Sequence, residues 1–213
     1  MALPPKFAGL TIASGGGVPK GVHTLELFLD YVCPFSKKMF NTVHNSVVPL
    51  ISQKYSNPPK AVHLLIRPQI QPWHPSSTLC TEAALAVLRL SPAKFLPFSA
   101  LLFQHAEEFY DANVVEEGRN ETYARLAKLG AEVGVDEGEM KDMLRIKGRG
   151  EVKEGELNTG NGVTGDVKGI VKANRLLGVH VTPSVMFDGV MENSISSSFT
   201  KEDWEDWLQK NIV

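Results

Sequence analysis

Cysteine is scarce in this chain: 213 residues carry only two, Cys33 and Cys80. So thin a supply excludes a disulfide-dense scaffold. His23, His44, His63 and His105 stand at no metal-ligand spacing from either cysteine, so no metal site is expected. An excess of one charge is also missing. The 22 Lys and Arg against 24 Asp and Glu leave a formal charge of −2, which offers no electrostatic basis for binding nucleic acid or an anionic membrane. No apolar run is long enough to span a bilayer. Met1 to Gly21 has a single Lys near its start and no apolar core with a small-residue cleavage site, so no secretory signal is expected. The expectation is a cytoplasmic protein whose two cysteines rest as thiols in a reducing compartment. The glycosylation match Asn120-Glu121-Thr122 is then idle. With 43% hydrophobic and 22% charged residues, the composition is that of a globular chain.

Local signals give an order of elements. Residues 13 to 21 read as part of a flexible leader, 1–21, with turn residues and no periodicity. Thr24 to Asp30 is a short apolar run of the kind found in buried strands. It stops at Tyr31-Val32-Cys33-Pro34, where proline at the first helical position predicts a helix start. Phe35, Met39, Val43 and Val47 then recur on one helical face, and Pro49 should kink or end that helix. Ala61 to Arg67 is a second strand, and strand–helix–strand implies two parallel strands joined right-handedly. From Ser76 to about Leu144, helical spacing recurs and predicts an inserted helical bundle. Residues 147 to 165 read as a mobile loop. A helix over Asp166 to Leu177 ends at Gly178, and Asp188-Gly189 marks a hairpin after the strand that follows Pro183. Thr200 caps a last helix, with Asp203 three residues on. The fold class is α/β, with residues 1–75 and 165–213 forming one unit and 76–164 inserted into it.

This order places the chemistry. Sites in parallel sheets gather at the carboxyl ends of the strands, so Cys33 to Ser36, Gln69 to His74 and His180 to Pro183 should converge. Cys33 precedes Pro34 and can serve as N-cap, where the free N–H groups and the helix dipole favour a thiolate. The bland alternative is a small buried residue, but a helix start is the wrong place for one. Cys80 shares an apolar stripe with Ala83, Ala84 and Val87 and reads as core. A Cys33–Cys80 bridge would need Cα atoms within about 7 Å, and whether the two can pair stays open. Trp73, inside Pro72-Trp73-His74-Pro75, is placed to wall an apolar pocket, and His74 to move protons near neutral pH; a rigid proline-bounded turn explains them equally well. His180 has a weaker claim of the same kind. Asp30, beside Cys33, either modulates the thiol or receives turn hydrogen bonds. Gly160 to Gly165 matches a dinucleotide pattern by letter but follows no strand, so it reads as a loop.

Asp30-Tyr-Val-Cys-Pro-Phe-Ser36 together with Gly178-Val-His-Val-Thr-Pro-Ser-Val-Met-Phe-Asp-Gly189 resembles the DsbA-like thioredoxin families. These include the kappa-class glutathione transferases and the 2-hydroxychromene-2-carboxylate isomerases. The resemblance spans nearly the whole chain and implies a thioredoxin fold with an inserted helical bundle. It implies a cis Thr182–Pro183 peptide facing the reactive residue. Substrate or glutathione is expected to be bound by Pro34, Phe35, Trp73, His74, Thr182 and Pro183. One departure matters: a dithiol oxidase carries cysteine where this chain has Ser36, while the transferases and isomerases commonly carry serine where this chain has Cys33.

The expected activity is therefore thiol–disulfide exchange through Cys33 alone, on a small thiol or disulfide, with glutathione as co-substrate and no tightly bound cofactor. Ser36, one turn on, can donate to the thiolate or be an ordinary first-turn serine. Two alternatives stand beside this: a kappa-like transferase or isomerase acting on a small apolar electrophile, and a non-enzymatic thiol- or peptide-binding redox sensor. A homodimer is left open, as is an iron–sulfur cluster held by glutathione between two chains.

Overall fold

A computed structural model of the chain describes residues 11–13, 22–57 and 61–212. Five strands form one sheet in the order β1-β3-β2-β4-β5. They are β1 (Thr11–Ala13), β2 (His23–Leu29), β3 (Val62–Pro68), β4 (Ser184–Phe187) and β5 (Val190–Met191). The apolar runs expected as strands are the central pair: β2 and β3 are parallel, in register from His23↔Val62 to Leu29↔Pro68. β4 lies antiparallel on the other side of β2, with Leu27 opposite Val185. β1 pairs antiparallel with β3. The expected leader therefore contains an edge strand at 11–13, because the outer side of β3 offers unpaired backbone groups that a passing segment can satisfy. The rest of that leader, 1–10 and 14–21, lies outside the described residues.

Both faces of β2 are buried, so its sequence does not alternate with polar, solvent-facing residues; its one charged side chain, Glu26, is buried and paired with Arg67 of β3. Leu25, Leu27 and Leu29 enter the main core, while Phe28 joins Val179 and Met186 in a small cluster on the other face. Each such side chain contributes roughly 1.5–3 kcal/mol through burial.

The helix after Cys33 departs from expectation at Pro49. It runs as α1 (Pro34–Thr42), a π-helical turn (Val43–Val47) and α2 (Val48–Lys54). Proline in a regular helix would clash with the carbonyl four residues back. The wider turn, in which the Val48 N–H reaches the Val43 carbonyl, lets the helix continue through Pro49 to Lys54. Phe35 also departs: Met39, Val43 and Val47 are buried, but Phe35 is 63% exposed. Its turn is the first of α1, out at the carboxyl end of the sheet where the core has ended.

The insertion is built around α3 (Pro75–Leu90), which is buried on almost every side. That burial suits its run of Ala83, Ala84 and Ala86, whose small side chains admit close neighbours. Around it lie α4 (Phe95–Gln104), the short α5 (Asp111–Val114), α6 (Arg119–Glu132) and α7 (Glu137–Leu144). Glu82, buried on α3, is held by the Tyr123 hydroxyl and by Arg119 at 3.2 Å. The 147–165 stretch is not featureless: it carries single 3-10 turns at Arg149–Glu151 and Glu154–Glu156, the first tied to Arg145 at 2.7 Å. Finally α8 (Thr164–Leu176) and α9 (Lys201–Asn211) flank the β4–β5 hairpin in the chain. The hairpin turns at Asp188 and Gly189, both at positive φ, and Thr200 with Asp203 forms the reciprocal cap of α9. One hydrophobic core runs from the sheet residues Leu25 and Ile66 to Leu126 and Met140 of the insertion.

Candidate active site

β2 delivers the chain to the carboxyl end of the sheet, and Asp30 to Val32 turn it into α1. The turn is closed by the Cys33 N–H on the Asp30 carbonyl at 3.1 Å. Cys33 is the N-cap of α1, with extended backbone (φ −87°, ψ 119°), and Pro34 opens the helix. Its thiol is partly exposed and points to the Thr182 carbonyl, with Sγ 3.6 Å from the oxygen. Thr182 reaches this place on the loop that enters β4, and its peptide bond to Pro183 is cis. That loop is braced by the Ser184 hydroxyl, which donates to the Val181 carbonyl at 2.7 Å.

The turn that leads to Cys33 carries a buried carboxylate. Asp30 Oδ1 accepts from the Val32 N–H at 2.9 Å, and Oδ2 accepts from the Gln71 N–H at 2.8 Å and the Ser77 hydroxyl at 2.7 Å. Burial raises the pKa of this group; the donors from Val32, Ser77 and Gln71 pull against that rise, as does the nearby His74. Gln71 continues outward, its side-chain amide donating to the Thr182 hydroxyl at 3.1 Å. A line of contacts thus runs from Asp30 through Gln71 and Thr182 to Cys33.

No family model matches the chain, and no curated protein matches it. Solved structures do. A proposed protein-disulfide isomerase from Pseudomonas syringae shares 24% identity at a TM-score of 0.68, over 95% of this chain and 99% of that one. BdbD from Bacillus subtilis, in its oxidised form, shares 17% at 0.60, over 96% and 93%. MdbA, a thiol-disulfide oxidoreductase from Corynebacterium diphtheriae, shares 17% at 0.61, over 95% and 90%. The chain has a thioredoxin fold with a helical insertion. At these identities the likeness is one of fold.

The three segments expected at this edge meet in space, but their side chains divide. Cys33 faces the Thr182 carbonyl of the cis Thr182–Pro183 bond, and Pro34 and Phe35 stand exposed on the first turn of α1. Ser36 is fully buried, and its hydroxyl accepts the Asp30 N–H at 3.2 Å. Among the described residues no hydrogen bond joins it to the sulfur, because the side chain at this position of the first turn points back under the Asp30 turn. His74 is the N-cap of α3 and turns toward the insertion, where Nδ1 meets Asp111 at 2.8 Å. Trp73 is 61% exposed and lines a groove with His180. Cys80 is buried in the core as a free thiol; burial, and then the charge of Asp30, push its pKa well above the ordinary thiol range.

Some residues at the site were not singled out from the sequence. Gln71 lies inside the segment expected here, but its amide looks like any loop glutamine until the tertiary contact is seen. Ser77 follows Pro75 in the first turn of α3, a pattern that suggests only a helix start. Tyr110 and Glu107 belong to the insertion and carry no local signal. Glu107 pairs with Lys37 of α1 at 3.4 Å. The Ser76 hydroxyl donates to the Phe109 carbonyl at 2.5 Å, which fixes this arm beside α3. Burial first, and then the charges of Glu107 and Cys33, raise the pKa of Tyr110.

Proposed function

We propose that the chain is a thiol–disulfide oxidoreductase that works through Cys33 alone. The observation that carries this reading is the division among three residues. Cys33 is a partly exposed thiol at a helix N-cap against the Thr182–Pro183 loop. The position one turn on holds buried Ser36, and the other cysteine is sealed in the core at 1% exposure.

The chemistry is disulfide exchange, in which the thiolate attacks. Cys33 Sγ attacks one sulfur of a disulfide R–S–S–R′; the new Cys33–S bond forms as the S–S bond breaks. R′–S⁻ leaves with the electron pair and takes a proton from solvent. With no second thiol at the helix start, resolution falls to an external thiol of the glutathione type. Its thiolate attacks the substrate sulfur of the mixed disulfide and releases Cys33 as a thiolate. Cys33 is unchanged over the cycle, and the electrons come from the external thiol. The substrate is a small thiol or disulfide, glutathione is a co-substrate rather than a bound cofactor, and a reducing, cytoplasmic setting belongs to the same proposal.

Glutathione-dependent reduction of 2-hydroxyethyl disulfide tests it. Wild-type and Cys80→Ser protein should turn over alike, and Cys33→Ser should be inactive. Turnover that survives Cys33→Ser contradicts the reading.

A further inference from the structure

A groove of about 400 Å³ opens between α8 and the loop after β3. Trp73, Val167, Val171 and Val179 supply apolar wall, and among the described residues its ionisable lining is Arg175 and His180. Among the described residues no carboxylate lines it. Val167, Val171 and Arg175 recur every four residues on α8, so the helix turns one continuous stripe toward the cleft.

Arg89, Arg119, Arg125 and Arg145 each meet a carboxylate. Arg175 has no carboxylate within ion-pair reach among the described residues. It is not needed to close the end of its helix either. The carbonyls of Ala173, Asn174 and Arg175 already accept from the N–H groups of Leu177, Val179 and Gly178, each at 3.1 Å. An unneutralised guanidinium beside apolar walls complements a ligand with a carboxylate on an apolar body.

Two contacts connect the groove to the reactive sulfur. Gln71 also lines it and donates to the Thr182 hydroxyl, while the Thr182 carbonyl faces Cys33. We propose that this groove holds the non-reacting end of the substrate: an aliphatic or aromatic chain bearing a carboxylate, paired with Arg175 while the substrate's sulfur meets Cys33. The proposal deepens the exchange activity above and rests on Cys33 being its nucleophile. Glutathione, polar along its length, remains the resolving thiol.

The test reads binding without sulfur chemistry. Trp73 is exposed whereas Trp204 and Trp207 are buried, so quenching of Trp73 fluorescence in Cys33→Ser protein reports the groove, with Trp73→Phe as the blank. 4-Phenylbutyrate should quench saturably, and the neutral 4-phenylbutyramide should bind about fivefold more weakly, the worth of one partly exposed ion pair. Arg175→Gln should erase that difference by weakening the acid and leaving the amide as it was. Equal binding of acid and amide, or no saturable Trp73 response, overturns the proposal. If turnover through Cys33 persists in that case, the exchange activity stands and only the substrate assignment falls.

Discussion

The Ser77 hydroxyl donates to Asp30 Oδ2 at 2.7 Å, and neither side chain has any surface exposed to solvent. Asp30 follows the central strand and Ser77 lies in the first turn of the first helix of the insertion, so this bond joins the two parts of the molecule at the turn that leads to Cys33. A buried carboxylate is tolerated only when its oxygens are occupied by donors, and here Val32, Gln71 and Ser77 supply them.

Ser77→Ala removes one of those donors. It should cost about 1–3 kcal/mol near pH 7, the usual loss for a hydrogen bond to a buried charge, measured by urea denaturation. The sign of the pH dependence follows from the raised pKa of Asp30. The native state holds this proton more tightly than the unfolded chain does. Asp30 is therefore most favourable below its unfolded value of about 3.9, and that contribution is lost as pH rises through the native value. The Ser77→Ala deficit should shrink on acidification, as Asp30 takes its proton.

Gln71 should act on the site through Thr182. Gln71→Ala frees the Thr182 hydroxyl and the loop that faces Cys33, and should slow mixed-disulfide formation at Cys33 about fivefold, as loss of roughly 1 kcal/mol would. Thr182→Ser keeps the hydroxyl and should keep the rate, whereas Thr182→Val should match Gln71→Ala. The double variant should be no slower than either single one, since both remove the same contact. Stopped-flow alkylation or exchange rates check all four.

Phe103 of the insertion lies 5.1 Å from the Tyr31 ring and 4.6 Å from the Phe40 ring, centroid to centroid. The two parts thus share one aromatic cluster. Phe103→Ala should cost about 3–5 kcal/mol, and it should lower a single cooperative transition rather than melt the insertion alone. Circular dichroism and near-ultraviolet melts should coincide.

Much of the scaffold was legible because its signals are local. The apolar run ending at Leu29, Pro34 after Cys33, the Asp188-Gly189 turn and the Thr200–Asp203 cap each act over a few residues. The parallel pairing then followed from the order of elements, and with it the convergence of the segments Cys33 to Ser36, Gln69 to His74 and His180 to Pro183. What was not legible depends on contacts between distant segments. The helical period assigns Phe35 to the buried face of α1, but the core ends before it. Ser36 is a turn from Cys33 in sequence, yet its hydroxyl serves the Asp30 N–H. The partner of His74 is Asp111, on an arm of the insertion that no spacing connects to it. The strand at 11–13 exists only because β3 has an open edge.

His63 on β3 is buried, and its Nε2 has no hydrogen-bond partner among the described residues. Burial lowers its pKa. As pH falls through about 6.5, the unfolded chain takes this proton before the native state does, so stability drops on acidification. His63→Leu should flatten the decline of Tm between about pH 7 and pH 5.

The most direct measurement is mass spectrometry of the intact protein after exposure to glutathione disulfide, with the modified peptide mapped. A single glutathione should appear on Cys33 in wild-type and Cys80→Ser protein, be absent from Cys33→Ser, and be removed by added glutathione with the free thiol restored. A Cys33 that stays unmodified, or an internal Cys33–Cys80 bridge in place of the adduct, would contradict exchange through one thiol.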